Sequence, residues 1–176
     1  MKARRLVALA MMVALSVGLH YLEGLIPNFI PVPGFHLGLA NTIALFVLYY
    51  YGAISYIFVS FTKVLIVSLI SGNFVSAMMS VTGTVLAVGI TLLCYFVIKS
   101  SIFGTSTIAA LFHTLGQLLA YAIFFRSFYI YYYTIILGPI AIGSGLLVAL
   151  LVMLLIKALP KRFKNEEEKR RSNWFY

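Results

Sequence analysis

Apolar stretches close to twenty residues long follow one another along nearly the whole chain, from "RLVALAMMVALSVGLHYL" near the start to "IAIGSGLLVALLVMLLIKAL" near the end. Each is about what an α-helix needs to cross a ~30 Å hydrocarbon core. Charged residues make up only 10% of the chain and hydrophobic ones 62%, against roughly a quarter charged in ordinary soluble domains. Little is left over for a soluble domain. The expected fold class is therefore all-α, an integral membrane bundle over residues 1–160 followed by a basic tail over 161–176.

Hydropathy and chain breakers predict six transmembrane helices, at about 4–22, 36–51, 53–71, 74–98, 105–127 and 137–158. The second is the shortest. The opening "MKARRLVALAMMVALSVG" has the charge and apolar core of a signal peptide, but no A-x-A site follows, and an uncleaved first span is the preferred reading. An even number of spans puts both termini on one side. Lys2, Arg4 and Arg5 precede the first helix, Lys99 lies in the fourth loop, and seven basic residues from Lys157 to Arg171 cluster at the end, whereas the opposite face has only Arg126. By the positive-inside rule both termini are expected in the cytoplasm, and the net charge of +9 is mostly a topology signal. It calls for no nucleic-acid partner. The tail also suits contact with anionic lipid, but a solvated, topology-setting tail is the preferred reading.

Tyrosine and phenylalanine gather at "LYYYG" and "SFYIYYYTI", where helices should meet the headgroups. The second cluster leaves room for a short interfacial helix, with Pro139 near the first turn of the sixth span, where its missing N–H does little harm. Small residues spaced by four mark faces for close packing: Ala10, Ala14 and Gly18 in the first span, Ser76 and Ser80 then Gly83 and Ala87 in the fourth, and Ala141, Gly145 and Ala149 in the sixth. The connection "LEGLIPNFIPVPGFH" is stiffened by Pro27, Pro31 and Pro33 yet stays apolar, so it is expected to cover the mouth of the bundle as a plug or lid, with Phe35 and His36 at its end. His20, Glu23 and His36 would form a polar rim there, and no metal site is assigned to them.

Polar groups at depth are the functional candidates. Lys63 stands in the middle of "VSFTKVLIVSLISGN", where a central ammonium costs roughly 2.5–3.5 kcal/mol on insertion scales. Its stem would have to cross half the hydrocarbon thickness to snorkel. Ser60 and Ser71 extend its side of the helix. In the fifth span His113 and Gln117 share a face beside Gly116 and Ala120, the second span adds Asn41 and Thr42, and the loop after the third adds Asn73. Interhelical hydrogen bonding, worth about 0.6 kcal/mol per contact, is the competing explanation for each. Lys63 departs from it furthest, because the chain has no aspartate and its only glutamate outside the tail is Glu23, read as a mouth residue. A cation without a fixed protein anion suits an anionic or electron-rich ligand. The single cysteine, Cys94, allows no internal disulfide and reads as a buried small hydrophobe.

At "PGFHLGLANTIALFVLYYYG", "SLISGNFVSAMMSVTGTVLA" and "LFHTLGQLLAY" the chain resembles the bacterial Gx transporters, a family also labelled heptaprenyl diphosphate synthase component I. That family is similar in turn to the S components of energy-coupling factor transporters, six-helix membrane proteins. There, small residues at A-x-x-x-A spacing in the first helix contact a transmembrane coupling subunit, and the following loop gates the site. The resemblance implies that Ala10, Ala14 and Gly18 bind the partner and that the loop of Pro27, Pro31, Pro33, Phe35 and His36 is the gate. Members of the family usually carry arginine where Lys63 stands here, so the charge is kept and bidentate recognition is lost.

The synthase label meets a chemical obstacle. Prenyl diphosphate synthases hold Mg²⁺ and diphosphate with aspartate-rich motifs, and this chain has no aspartate. It also lacks a G-x-x-x-x-G-K-[ST] loop and so cannot energise transport itself. The expectation is a non-enzymatic, S-component-like protein of the bacterial plasma membrane, without cofactor, that binds a small anionic or aromatic metabolite through Lys63, His113, Gln117, Asn41 and Asn73. Coupling subunit and ATPases would be other chains. The alternatives are a non-catalytic partner in isoprenoid, quinone or flavin-linked electron-transfer metabolism and, third, a free-standing secondary transporter.

Overall fold

The computed structural model describes residues 2–25, 38–126 and 132–158. They form six helices: α1 (Lys2–Gly24), α2 (Leu39–Tyr51), α3 (Ala53–Ser71), α4 (Phe74–Leu93), α5 (Ile102–Phe125) and α6 (Tyr133–Ala158), with a π-helical turn, Cys94–Ile98, continuing α4. No strand occurs among the described residues. All of these helices except α2 are long and apolar enough to cross a membrane. The outward surface is correspondingly apolar: Ile54, Leu69, Val97 and Ile135 are each at least 74% exposed. So many large hydrophobic side chains facing outward on every long helix mean that lipid, not water, is the solvent of this surface. The chain is a multi-pass membrane protein.

The 13-residue α2 is different because of where it sits. Thirteen residues span only about 20 Å, but this helix occupies the middle of the bundle, with Val47 and Leu48 wholly buried. They pack with Val59 of α3, Val88 of α4, Val148 and Val152 of α6, and Leu9 and Val13 of α1 in one continuous core. Gly52 alone joins α2 to α3, at φ 90° and ψ 174°, a conformation only glycine adopts readily. Arg5, beyond any role in topology, donates to the Tyr51 carbonyl at 3.0 Å and to Ser55 Oγ at 2.7 Å, so the start of α1 is pinned to that corner.

Small residues set the spacing on the other side. A Cβ added to Gly116 of α5 would stand 2.8 Å from both Gly83 Cα and the Thr82 carbonyl of α4, so the two backbones touch there. Gly145 of α6 approaches α5 as closely: its added Cβ would lie 2.6 Å from Thr107 Cα, and its carbonyl accepts a 2.7 Å hydrogen bond from Ser106 Oγ. Gly83 in α4 and Gly145 in α6, from the expected small-residue faces, are thus used for packing within the bundle, while Ser76 of the same α4 set is exposed. In α1 the opposite holds, since Ala10, Ala14 and Gly18 are exposed while Leu9, Val13 and Ser16 turn inward.

Two of the boundaries that differ from the sequence expectation bear on the site. Helix α6 starts at Tyr133, and Pro139 lies inside it rather than in its first turn. The apolar residues before the proline continue the helix upstream, and the missing N–H removes only one bond of the ladder. Helix α1 runs to Gly24, which carries Glu23 on its last turn instead of in a loop.

Candidate functional site

On α3 the residues Tyr56, Ser60 and Lys63 are four and three apart, which puts them on one face of the helix. That face turns toward the bundle, where all three line a cavity enclosed by α2, α3, α4, α5 and α6. Asn41 enters from α2, Thr84 and Thr91 from α4, Ser106 and His113 from α5. The walls between them are small: Ala44, Ala87, Ala109, Ala110 and Gly145. The space open to water centres is about 60 Å³, where one water needs about 10–15 Å³. A few waters, or the head of a small ligand, fit without movement of the helices.

Lys63 is 8% exposed, and its Nζ donates to Asn41 Oδ1 at 2.7 Å. An ammonium has three N–H donors, so this bond leaves two directed elsewhere. Thr91 Oγ1, in the cavity wall, is buried beside the Tyr56 hydroxyl. The His113 ring lies over Gly83, its Cε1 being 3.1 Å from where a Cβ there would stand. Glycine at that point leaves room for the imidazole between α4 and α5. Together these groups offer a cation, an amide, an imidazole and several hydroxyls around one small space. Such a set can hold an anion and satisfy its oxygens.

Glu23 changes the electrostatic picture drawn from the sequence. It is 4% exposed, not a rim residue, and its Oε1 accepts the Gly38 N–H at 2.6 Å at the start of α2. A carboxylate at a helix N-terminus is favoured by the helix dipole. Its Oε2 is buried with no hydrogen-bond partner among the described residues. Glu23 interacts electrostatically with Lys63, but the two do not form a contact ion pair: Lys63 bonds to Asn41 and Glu23 to Gly38. The reading that Lys63 has no intramembrane carboxylate is therefore corrected. Two helical turns beyond Ser16, the helix brings the only carboxylate outside the tail inward, and the sequence alone had no means of showing which way it would face.

The remaining candidates are scattered. Gln117 packs against α4, with its Cγ beside Gly83, and is absent from the cavity wall. Asn73 is exposed and serves as the N-cap of α4, its side chain accepting from the Ser76 N–H at 3.1 Å. Ser71 is exposed too, donating to the Ser68 carbonyl at 3.1 Å, so the polar face of α3 ends before it. His20 is half-buried against Tyr21. The proposed gate residues Pro27, Pro31, Pro33, Phe35 and His36 and the tail 161–176 lie outside the described residues. No group of three metal-ligating side chains occurs among the described residues. Sequence reasoning passed over Tyr56, Thr84, Thr91 and Ser106. Tyr56 was findable, since it continues the Ser60–Lys63 face by one turn, but isolated Thr and Ser in apolar helices carry no comparable signal.

The family model for heptaprenyl diphosphate synthase component I matches residues 12–155. The chain belongs to that family. No curated protein and no solved structure matches it.

Proposed function

We propose that this member of the heptaprenyl diphosphate synthase component I family is the substrate-binding membrane subunit of an energy-coupling-factor-type uptake system. It takes a small anionic metabolite into the cavity around Lys63, Asn41 and His113. The single observation that carries the reading is a buried ammonium with donors that no described residue fills, at the edge of a small, mainly apolar cavity bearing a few polar groups. Burying such a charge is costly unless something repeatedly uses it. Among the described residues Tyr56 and His113 are the only rings in the wall, and apart from Lys63 and Asn41 the other lining side chains are small or aliphatic, which favours an anion over a stacked aromatic ligand. On this reading the chain has six spans with both ends in the cytoplasm of a bacterial cell. The exposed Ala10, Ala14 and Gly18 would then be the contact with a coupling subunit, since a smooth outward face on α1 admits close approach of another helix.

A second reading takes the family's name at its word: a membrane component that assists a heptaprenyl diphosphate synthase made of other chains. The chain's own residues fit a non-catalytic role, because diphosphate chemistry on Mg²⁺ needs clustered carboxylates, and Glu23 is the only one before the tail. Two measurements separate the readings. Native mass spectrometry of the protein in lipid nanodiscs should find a bound small anion that is lost in Lys63→Met. Capture of a coupling subunit should be lost in Ala14→Leu with ligand binding intact. Uptake that persists in cells without any energy-coupling ATPase would sink the coupled reading in favour of secondary transport, and capture of a prenyl synthase instead would favour the second.

A further inference from the structure

One turn of α2 stands between two buried charges. At its start the Gly38 N–H is held by Glu23, and at its other side Asn41 accepts from Lys63. A Cβ on Gly38 would lie 3.7 Å from Asn41 Nδ2, so both attachments belong to the same small region. Opposite charges this deep in a bundle attract strongly and ordinarily close on one another. These two stay apart, and each keeps capacity that no described residue fills. Glu23 Oε2 is an acceptor without a donor, and Lys63 Nζ has donors without acceptors. Buried polar groups in folded proteins are nearly always satisfied, and these opposite deficits flank the same turn of α2, Lys63 from the cavity and Glu23 from outside its wall, which makes them the complement of a molecule bearing both charges.

We infer that Glu23 and Lys63 are the two poles of one binding site, and that its ligand is a small zwitterion: an anionic group on Lys63 and a protonated nitrogen donating to Glu23 Oε2. The inference rests on the proposed Lys63 anion site and changes its ligand from a net anion to a net-neutral molecule that carries an anionic group. The anion enters the cavity beside Lys63, where Ser60 and Tyr56 supply hydroxyls. The ammonium remains on the α1 side of Asn41 and neutralises the carboxylate. A net-neutral ligand leaves the total buried charge unchanged on binding, whereas an anion alone would leave a buried excess negative charge beside Glu23. Amino acids, their longer analogues and the ethanolamine phosphate headgroup share this chemistry.

The test is binding of three matched probe series to the full chain in nanodiscs of phosphatidylglycerol alone, read by calorimetry. The series are glycine, β-alanine and γ-aminobutyrate; acetate, propionate and butyrate; and methylamine, ethylamine and propylamine. The expected result is that at least one amino acid binds about tenfold or more tightly than its matched acid and amine, as one charge-assisted hydrogen bond would provide. In Glu23→Gln that preference should fall to about one while the acid still binds, and in Lys63→Met all anion binding should be lost. Wild-type protein alone decides the matter if the variant fails to fold. A matched acid that binds as tightly as the amino acid, in a Lys63-dependent way, overturns the zwitterion inference and leaves the anion site standing. No Lys63-dependent binding in any series overturns both. Competition by phosphatidylethanolamine, added to the discs, upholds the zwitterion and assigns its source to lipid.

Discussion

Removing the charges at Lys63 and Glu23 one at a time and then together tests whether the two are coupled, and their separation beyond contact bounds the size of the effect. Lys63→Met keeps a long flexible side chain, relieves the roughly 2.5–3.5 kcal/mol insertion cost of a central ammonium, and strands Asn41 Oδ1, worth about 1–3 kcal/mol in the other direction. It also leaves Glu23 buried with no cation beside it. Glu23→Gln does the reverse and strands Lys63. The double variant strands neither charge. Unit charges interact by about 4 kcal/mol at 4 Å and an effective dielectric of 20, and by about 2 kcal/mol at twice that distance. Because the pair is separated beyond direct contact, the coupling is expected below the contact value, on the order of 1–2 kcal/mol. The double variant should be that much more stable than the sum of the singles, whatever the sign of each single. Equilibrium unfolding of the four proteins in mixed micelles of increasing denaturing detergent measures it. Additivity within about 0.5 kcal/mol, the ordinary error for independent sites, would refute the claim that Glu23 is the counter-charge of Lys63.

Gly116→Val places atoms where Gly83 Cα and the Thr82 carbonyl already stand; the α4–α5 contact must open, and a loss of about 1–3 kcal/mol or failure to fold is expected, visible as a lowered Tm. Asn73→Ala removes the cap of α4 and should cost about 1 kcal/mol without altering the affinity of any ligand, which separates a capping role from a binding one; a tenfold weaker ligand would reverse that assignment. Ala14→Leu adds bulk to an exposed position, so the isolated protein should keep its Tm within a degree or two by the usual behaviour of surface changes, and a clear drop would mean that this face of α1 is packed rather than free.

The parts of the site legible in the sequence were those whose cost was visible there. Lys63 announces itself because an ammonium inside an apolar run has no cheap placement, and Asn41 and His113 stand out for a weaker form of the same reason. All three line the cavity. Gln117 and Asn73 stand out equally, yet one packs on α4 and the other caps it. Polarity in a membrane helix shows that a partner is needed without saying which partner. For Asn73 a local signal existed, since asparagine just before an apolar helical run is a capping pattern. For Gln117 none did, because α5 lies between α4 and α6 and each of its faces meets something different. Glu23 was misplaced for a related reason: its partner Gly38 is fifteen residues away across the prolines, and nothing local reports that contact.

The sequence by itself determined that this chain is helical and lives in lipid, because apolar runs of that length have no other stable solvent and their boundaries carry glycine and asparagine signals. It also determined that one cation would lie at depth. Only the tertiary structure decided that short α2 is the buried centre of the bundle, that glycine contacts bring α4, α5 and α6 close, and that Glu23 turns inward to stand near Lys63 without touching it. Hydropathy and propensity are properties of neighbours in the chain. Which face of each helix meets which other depends on packing between segments tens of residues apart, and the cavity exists only where five such faces converge.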